Sequence, residues 1–291
     1  MRQVETVAVL MTDRILGDPF GPRRGDMTPE ALLERLLEGG DAGFIVKPED
    51  GWCGEEIFLL AAENGRLVRR RGRESEPFDI EAFLAADRPS YGGPPSAYLV
   101  ERRLGQAPFW AGLFAGSANT IRALTLWTPG EPAPFLARAV QRIGTADTVP
   151  TDNWSGGGIS APIDPVTGRL GLGRMHPLTG ARPGHRFTHH PDTGAPIAGA
   201  VVPGWAAIRA TVLRAAASVP FNRMAGWDVL VAAGTELGTE SGTEVDTELD
   251  TEPGTPVLLE ANGNSDVNLL QVHGGLLAEP AIRRFYQTVA P

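Results

Sequence analysis

Gly226-Trp227-Asp228-Val229-Leu230-Val231 and Val257-Leu258-Leu259-Glu260-Ala261-Asn262 are two apolar runs, each interrupted by an acid. Their length and Val/Leu content predict buried strands over Val229–Val231 and Val257–Leu259. If the two strands pair, Asp228 and Glu260 stand side by side, and the strand period of two puts Asn262 on the face of Glu260. Two acids in strands of apolar character are costly to bury without a cation. Two carboxylates and an amide oxygen are hard donors that suit Mg²⁺ (Mn²⁺ as a substitute), with phosphate oxygens completing the shell.

Between these runs lies a four-residue repeat, Gly-Thr-Glu-Leu to Asp-Thr-Glu-Pro, within an acidic insertion over 234–255. Repeated Gly and Thr disfavour a helix, and no ligand-cage spacing is present, so the insertion reads as a solvated loop of a hairpin. It carries five glutamates and two aspartates without Lys or Arg, and so accounts for −7 of the net −9. The rest of the chain is close to neutral and gives a nucleic-acid partner no electrostatic support.

Working outward, Thr28 as N-cap, Pro29 behind it and Gly39-Gly40 at the end predict a helix over 28–38. Phe44-Ile45-Val46 predicts a strand ending at Lys47-Pro48, and Asn64-Gly65 a hairpin between Ile57–Leu60 and Leu67-Val68. Further strands are expected over Ala97–Val100, Ile121–Trp127, Phe135–Val140 and Ile159–Ile163, and helices over Trp205–Ser218 and Pro280–Val289. Arg169 to Pro203 shows no sustained period and reads as loop with short strands.

Three more clusters bear on chemistry. Lys47 at a strand end, followed by Gly51 and Gly54, can place an ammonium and backbone N–H groups on a polyphosphate; the alternative is a surface lysine before a turn. Glu101, Arg102 and Leu104 follow a strand and can meet adenine through backbone groups and the Glu101 carboxylate; the alternative is an ordinary charged strand end. Arg122 and Arg142 lie on adjacent expected strands and suit bidentate clamping of phosphate or carboxylate. Asn153 precedes Gly156-Gly157-Gly158, where a ligand can approach the backbone closely, unless those glycines only relieve crowding.

The order of these clusters resembles the ATP-grasp superfamily. Within it, the chain is similar to the sugar-transfer-associated branch, judged by Thr120-Ile121-Arg122, Asp152-Asn153 with Gly156-Gly157-Gly158-Ile159, Pro191-Asp192-Thr193-Gly194, Pro203-Gly204-Trp205, Gly226-Trp227-Asp228 and Glu260-Ala261-Asn262. More distantly it resembles ligases that add glutamate to ribosomal proteins. The resemblance implies an α+β fold in which two α+β subdomains clasp ATP, here 28–96 and 97–291, with 1–27 an extension left from a preceding domain. It further implies Lys47 and Arg122 on phosphates, Glu101 on the adenine or ribose side, and Mg²⁺ on Asp228, Glu260 and Asn262. Arg142 and Asn153 would face the γ-phosphate and an acyl phosphate. The implied activity is an ATP-dependent ligase for a small-molecule or peptide carboxylate and an amine. The alternatives are a kinase-like phosphotransferase and a nucleotide-binding regulatory protein.

Other residues carry less. Cys53, the one cysteine, has no base identifiable in sequence and excludes an internal disulfide. His185, His189 and His190 lack a metal-binding spacing, and His273 reads as structural. No apolar run approaches the roughly 18–20 residues of a membrane helix, and Met1–Glu5 lacks the start of a signal peptide. A reduced, cytoplasmic setting is the expectation.

Overall fold

A computed structural model describes residues 4–38, 43–49, 54, 56–86, 97–180, 182–234, 254–263 and 265–289. Its architecture is two antiparallel sheets with helices packed on them. The first sheet has eight strands: β1 (Thr6–Leu10), β2 (Ile15–Gly17), β3 (Gly25–Met27), β4 (Phe44–Pro48), β5 (Phe58–Glu63), β6 (Arg66–Arg71), β7 (Glu74–Pro77) and β8 (Tyr98–Arg102). Their spatial order is β3-β2-β1-β8-β4-β5-β6-β7. Alternation divides its faces. Phe44 and Val46 of β4, with Tyr98 and Val100 of β8, face a core closed by Leu32 and Leu36 of helix α1 (Pro29–Glu38) and Ile80 of α2 (Ile80–Ala85). Ile45, Lys47, Leu99 and Glu101 therefore share the opposite face.

Two expectations about domain limits change here. Residues 6–27 are three strands of this sheet, held by pairing of β1 with β8, and no detached extension. The strand that follows residue 97 belongs to the first sheet, because Tyr98 and Val100 fill the same core as Phe44.

The second sheet has seven strands: β9 (Ile121–Leu126), β10 (Phe135–Ile143), β11 (Ile159–Ile163), β12 (Gly173–Arg174), β13 (Arg186–Phe187), β14 (Met224–Ala232) and β15 (Thr255–Gly263). Their order is β13-β12-β11-β10-β9-β14-β15. One face packs against α4 (Trp205–Ser218) through Ile208, Val212 and Ala215, and against α3 (Pro108–Leu113) through Trp110. On the other face, Leu124, Leu126 and Val140 meet Leu269 and Leu270 of α5 (Asn268–Gln271), Leu276 of a short 3-10 turn, and Ile282 and Phe285 of α6 (Pro280–Val289).

The chain crosses between sheets just after β8. Leu104 packs against Leu230, Ala232 and Val257, and the Ala107 N–H donates to the Val231 carbonyl at 2.9 Å. Elsewhere the sheets touch through Gly72 N–H to the Val149 carbonyl at 2.7 Å and an Arg73–Asp147 ion pair at 2.5 Å. Among the described residues, no helix is long and apolar enough to cross a membrane.

Candidate active site

Asp228 is the centre of the charged face of the second sheet. Register pairs it with Arg122 of β9 on one side and Glu260 of β15 on the other. The ladder shifts immediately after this pair, Asp228 facing Glu260 and Val229 facing Leu258, so Leu259 is the bulged residue. Such a bulge bends an edge strand and re-aims the side chain beside it. Arg122 grips Asp228 with two nitrogens, Nε donating to Oδ1 and Nη2 to Oδ2, the latter at 2.9 Å. Arg142 of β10 donates to the same Oδ2 at 2.8 Å and to Asp152 Oδ1 at 2.5 Å. The other oxygen of Asp152 accepts the Thr120 N–H at 2.7 Å and hydroxyl at 2.6 Å. Arg122 Nη1 also reaches Ser265 Oγ at 3.3 Å. Gly226 makes room for that contact, since a Cβ there would lie 2.2 Å from Ser265 Oγ.

The electrostatics follow from this bracing. Burial pushes the Asp228 carboxyl up, but Arg142 and Arg122 more than offset it and hold it at about 2. Burial alone would lower Arg142; Asp152, Asp228 and Glu260 together keep it above its ordinary value. Glu260 goes the other way. Its carboxyl is raised by desolvation and then by facing Asp228, against the weaker pull of Asn262 and Arg122. Asn262 Nδ2 donates to Glu260 Oε1 at 3.0 Å, so the two share a face as the period of two requires.

This donor set fits a hard divalent cation. Two carboxylates from paired strands face each other with an amide beside them; both Asp228 oxygens accept from Arg122 and Arg142, while Glu260, raised by desolvation and then by Asp228, lies exposed at the sheet edge. Among the described residues there is no cluster of three or more His, Cys, Asp or Glu able to hold a metal. Two protein carboxylates with remaining positions for phosphate and water are what Mg²⁺ takes at nucleotide sites.

On the first sheet, Lys47 Nζ lies 2.9 Å from Glu101 Oε2, across the β4–β8 pair. Val9, Ile45, Leu59 and Leu99 share that face, giving the ion pair apolar surroundings. Arg102 does not join them. It points to the other face, its guanidinium over Phe44, and both its Nε and its backbone N–H donate to Glu5, at 3.0 and 2.9 Å. Leu104 sits at the crossing described above, which brings the β8 end beside the strand that carries Asp228. Gly51 and Cys53 lie outside the described residues. Gly54, at φ +71°, comes close to Asn153: a Cβ on it would be 3.6 Å from Asn153 Cβ. Both line a cleft of about 280 Å³ between the sheets, with Arg71, Asp147, Thr151 and Gly156. Asn153 Oδ1 accepts from Ser155 Oγ at 3.0 Å.

Several motif residues act by positioning others. His190 is buried; its Nε2 bonds to the Gly144 carbonyl at 2.7 Å, and Nδ1 accepts the N–H groups of Asp192 and Thr193 at 3.2 Å. Asp192 in turn accepts the Ala146 N–H at 2.8 Å. Pro191-Asp192-Thr193-Gly194 thus fixes the start of the segment that leads to Asp152 and Asn153. Sequence reasoning gave no role to Asp152, Thr120 or Ser265. The first two stood in quoted motifs, and Ser265 follows Asn262 closely, but only the folded network shows what each touches.

A family model described as sugar-transfer-associated ATP-grasp matches residues 30–238 of the 291. The chain belongs to that family. ATP-grasp proteins are nucleotide-binding, ATP-dependent ligases or related enzymes that typically use Mg²⁺, and their mixed α+β fold is the one seen here. The match spans Lys47, Glu101, Arg122, Arg142, Asn153 and Asp228, while Glu260 and Asn262 lie beyond it. No curated protein matches the chain in sequence.

Proposed function

We propose that this ATP-grasp protein is a ligase joining a carboxylic acid to an amine or related nucleophile through an acyl phosphate, releasing ADP and phosphate. The observation that carries the reading is the register that sets Asp228 opposite Glu260, with Asn262 beside them and Arg122 and Arg142 already on the same face. On this reading the nucleotide lies between the sheets. Lys47 meets phosphate, Glu101 the adenine or ribose side, and Gly54 and Asn153 border the reacting end. Asp228, Glu260 and Asn262 hold Mg²⁺, which when bound offsets phosphate charge.

The chain's own residues supply positioning and charge. Arg142 and Arg122 are preorganised by Asp152, Asp228 and Ser265, so that they need little rearrangement to face charge developing on a transferring phosphoryl group. A substrate carboxylate oxygen attacks the γ-phosphorus of ATP and ADP leaves. The nucleophile's lone pair then attacks the acyl carbon, phosphate departs, and the amine proton passes to solvent or phosphate.

The test is ADP and phosphate release in three arms: no acceptor, hydroxyl acceptors, and carboxylates combined with amines. Stimulation in the third arm alone is expected. Stimulation by hydroxyl compounds alone would make the protein a kinase-like phosphotransferase, and ATP binding without turnover in any arm would make it a nucleotide-binding regulator.

A further inference from the structure

We propose that the substrate activated at this site carries a second anionic group, held by Arg186 of the edge strand β13 with the exposed Arg182 of the turn that leads into it, where the His185 N–H donates to the Arg182 carbonyl at 3.2 Å. The inference rests on the reading above, with phosphoryl transfer at the Arg142–Asp228 end.

Cross-strand register lays out one row of side chains over this face. Glu260, Asp228 and Arg122 are directly paired in turn. Arg142, two residues along from the Val140 that faces Arg122, pairs with Ser160, Ser160 with Arg174, and Arg174 with Arg186. The row changes sign along its length. Its β15 end is acidic and its middle arginines are neutralised by Asp228 and Asp152. Arg174 and Arg186 have no acidic partner among the described residues, and Arg186 is exposed.

The sequence around them reinforces this. From 165 to 191 there is no Asp or Glu but four arginines and four histidines, in a chain of net charge −9. His273, in contact with Ser160 Oγ at 3.0 Å, is held down to about 4 by burial and then by the positive charges of Arg174 and Arg138.

The basic segment also reaches the cleft. Gly180 packs on the glycine turn, where a Cβ on it would be 3.0 Å from Gly157 Cα, and the neighbouring Gly156 lines the cleft. The α5 turn roofs Ser160 through the Leu269 carbonyl. Ser160 and Gly157 are buried beneath these contacts, so the proposed ligand passes outside the roof, along the exposed Gly156. Strands about 4.8 Å apart put Arg186 about 14 Å from the Arg142 strand, a span suited to an extended molecule with charge at both ends.

Two matched probe pairs test this: 6-phosphogluconate against gluconate for a phosphate, and triglutamate against trialanine for carboxylates. Each is titrated calorimetrically at low salt into the Mg–ADP-loaded full chain, as wild type and as Arg182→Gln/Arg186→Gln. The more anionic member of at least one pair should bind wild type at least about tenfold tighter, and the double variant should lose about that factor. Which pair responds identifies the anion. Mg–ATP affinity should stay within about twofold in the double variant. Absence of any preference in wild type, or a preference that survives in the variant, overturns the inference. Mg–ATP binding by wild type and its loss in Glu260→Gln are read in parallel, so that failure of the underlying site is seen separately.

Discussion

The first sheet's charged contribution to the candidate site is one ion pair, Lys47 to Glu101 at 2.9 Å, between side chains 35% and 14% exposed. On the second sheet Arg122, Arg142, Asp152 and Asp228 are each at most 14% exposed and are cross-braced by several bonds. The difference separates two ways of preparing a site. The braced half holds its geometry before any ligand arrives, so its charged groups also support the fold. The lysine half can exchange a protein carboxylate for a phosphate at little structural cost, since a partly exposed pair contributes only about 0–1 kcal/mol. Substitutions should therefore damage fold and function together at the braced residues of the second sheet and binding alone at Lys47.

The largest effect is expected from Asp228→Asn. Removing the charge leaves two buried arginines short of a partner, which costs about 3–5 kcal/mol, and loss of a metal donor should lower turnover at least about a hundredfold. In wild type this contribution is complete above an ordinary carboxyl pKa of 3.8 and is lost as pH falls toward about 2. Denaturant unfolding and ATP turnover measured on one preparation check both parts. Loss of activity without loss of stability would mean that the braces do not support the fold.

Glu260→Gln sharpens the comparison, because Glu260 is exposed at the sheet edge and its carboxyl is raised by desolvation and by Asp228. Here turnover should fall at least about a hundredfold at saturating Mg²⁺ while stability at neutral pH is kept or slightly improved. The improvement has a sign: a folded carboxyl raised above its unfolded value loses stability as pH rises through its titration, and glutamine removes that loss.

A smaller effect belongs to His273. Its ordinary value of 6.5 is depressed to about 4 in the fold, so the unfolded chain binds a proton between these values and the folded chain does not. Stability should fall as pH drops from about 6.5 to 4, by up to about 3 kcal/mol from this group. Thermal unfolding across that range should show a flatter slope for His273→Asn, with part of the slope remaining because burial also lowers His190.

How much could be read in advance follows the same division. The Asp228–Glu260–Asn262 face was legible because strand alternation is local and the acids interrupt apolar runs. Lys47 beside Glu101 was legible as two strand ends, although their pairing was not. The strands of residues 6–27 were missed because short segments such as Ile15–Gly17 and Gly25–Met27 carry no period of their own and exist only by pairing with neighbours. Arg102 was misplaced because a strand end does not show which face reaches the ligand; one residue decides it, and Glu5, 97 positions away, claims the side chain. Asp152, Thr120 and Ser265 escaped for a similar reason, since the contacts that give them a role span 32 to 143 residues.

The central claim is that one Mg–ATP molecule is held by residues from both sheets, and a calorimetric titration of Mg–ATP into wild type, Lys47→Met and Glu260→Gln tests it most directly. A charge-assisted phosphate contact is worth about 1.5–3 kcal/mol, so Lys47→Met should weaken binding about ten- to a hundredfold or more while the melting temperature barely moves. Added salt should then weaken wild type more than the variant. Glu260→Gln should weaken binding of the Mg²⁺ complex, and its affinity for ATP without Mg²⁺ should match wild type. Wild-type affinity in Lys47→Met would contradict the account by taking the first sheet out of the site, and wild-type affinity in Glu260→Gln would take out the metal.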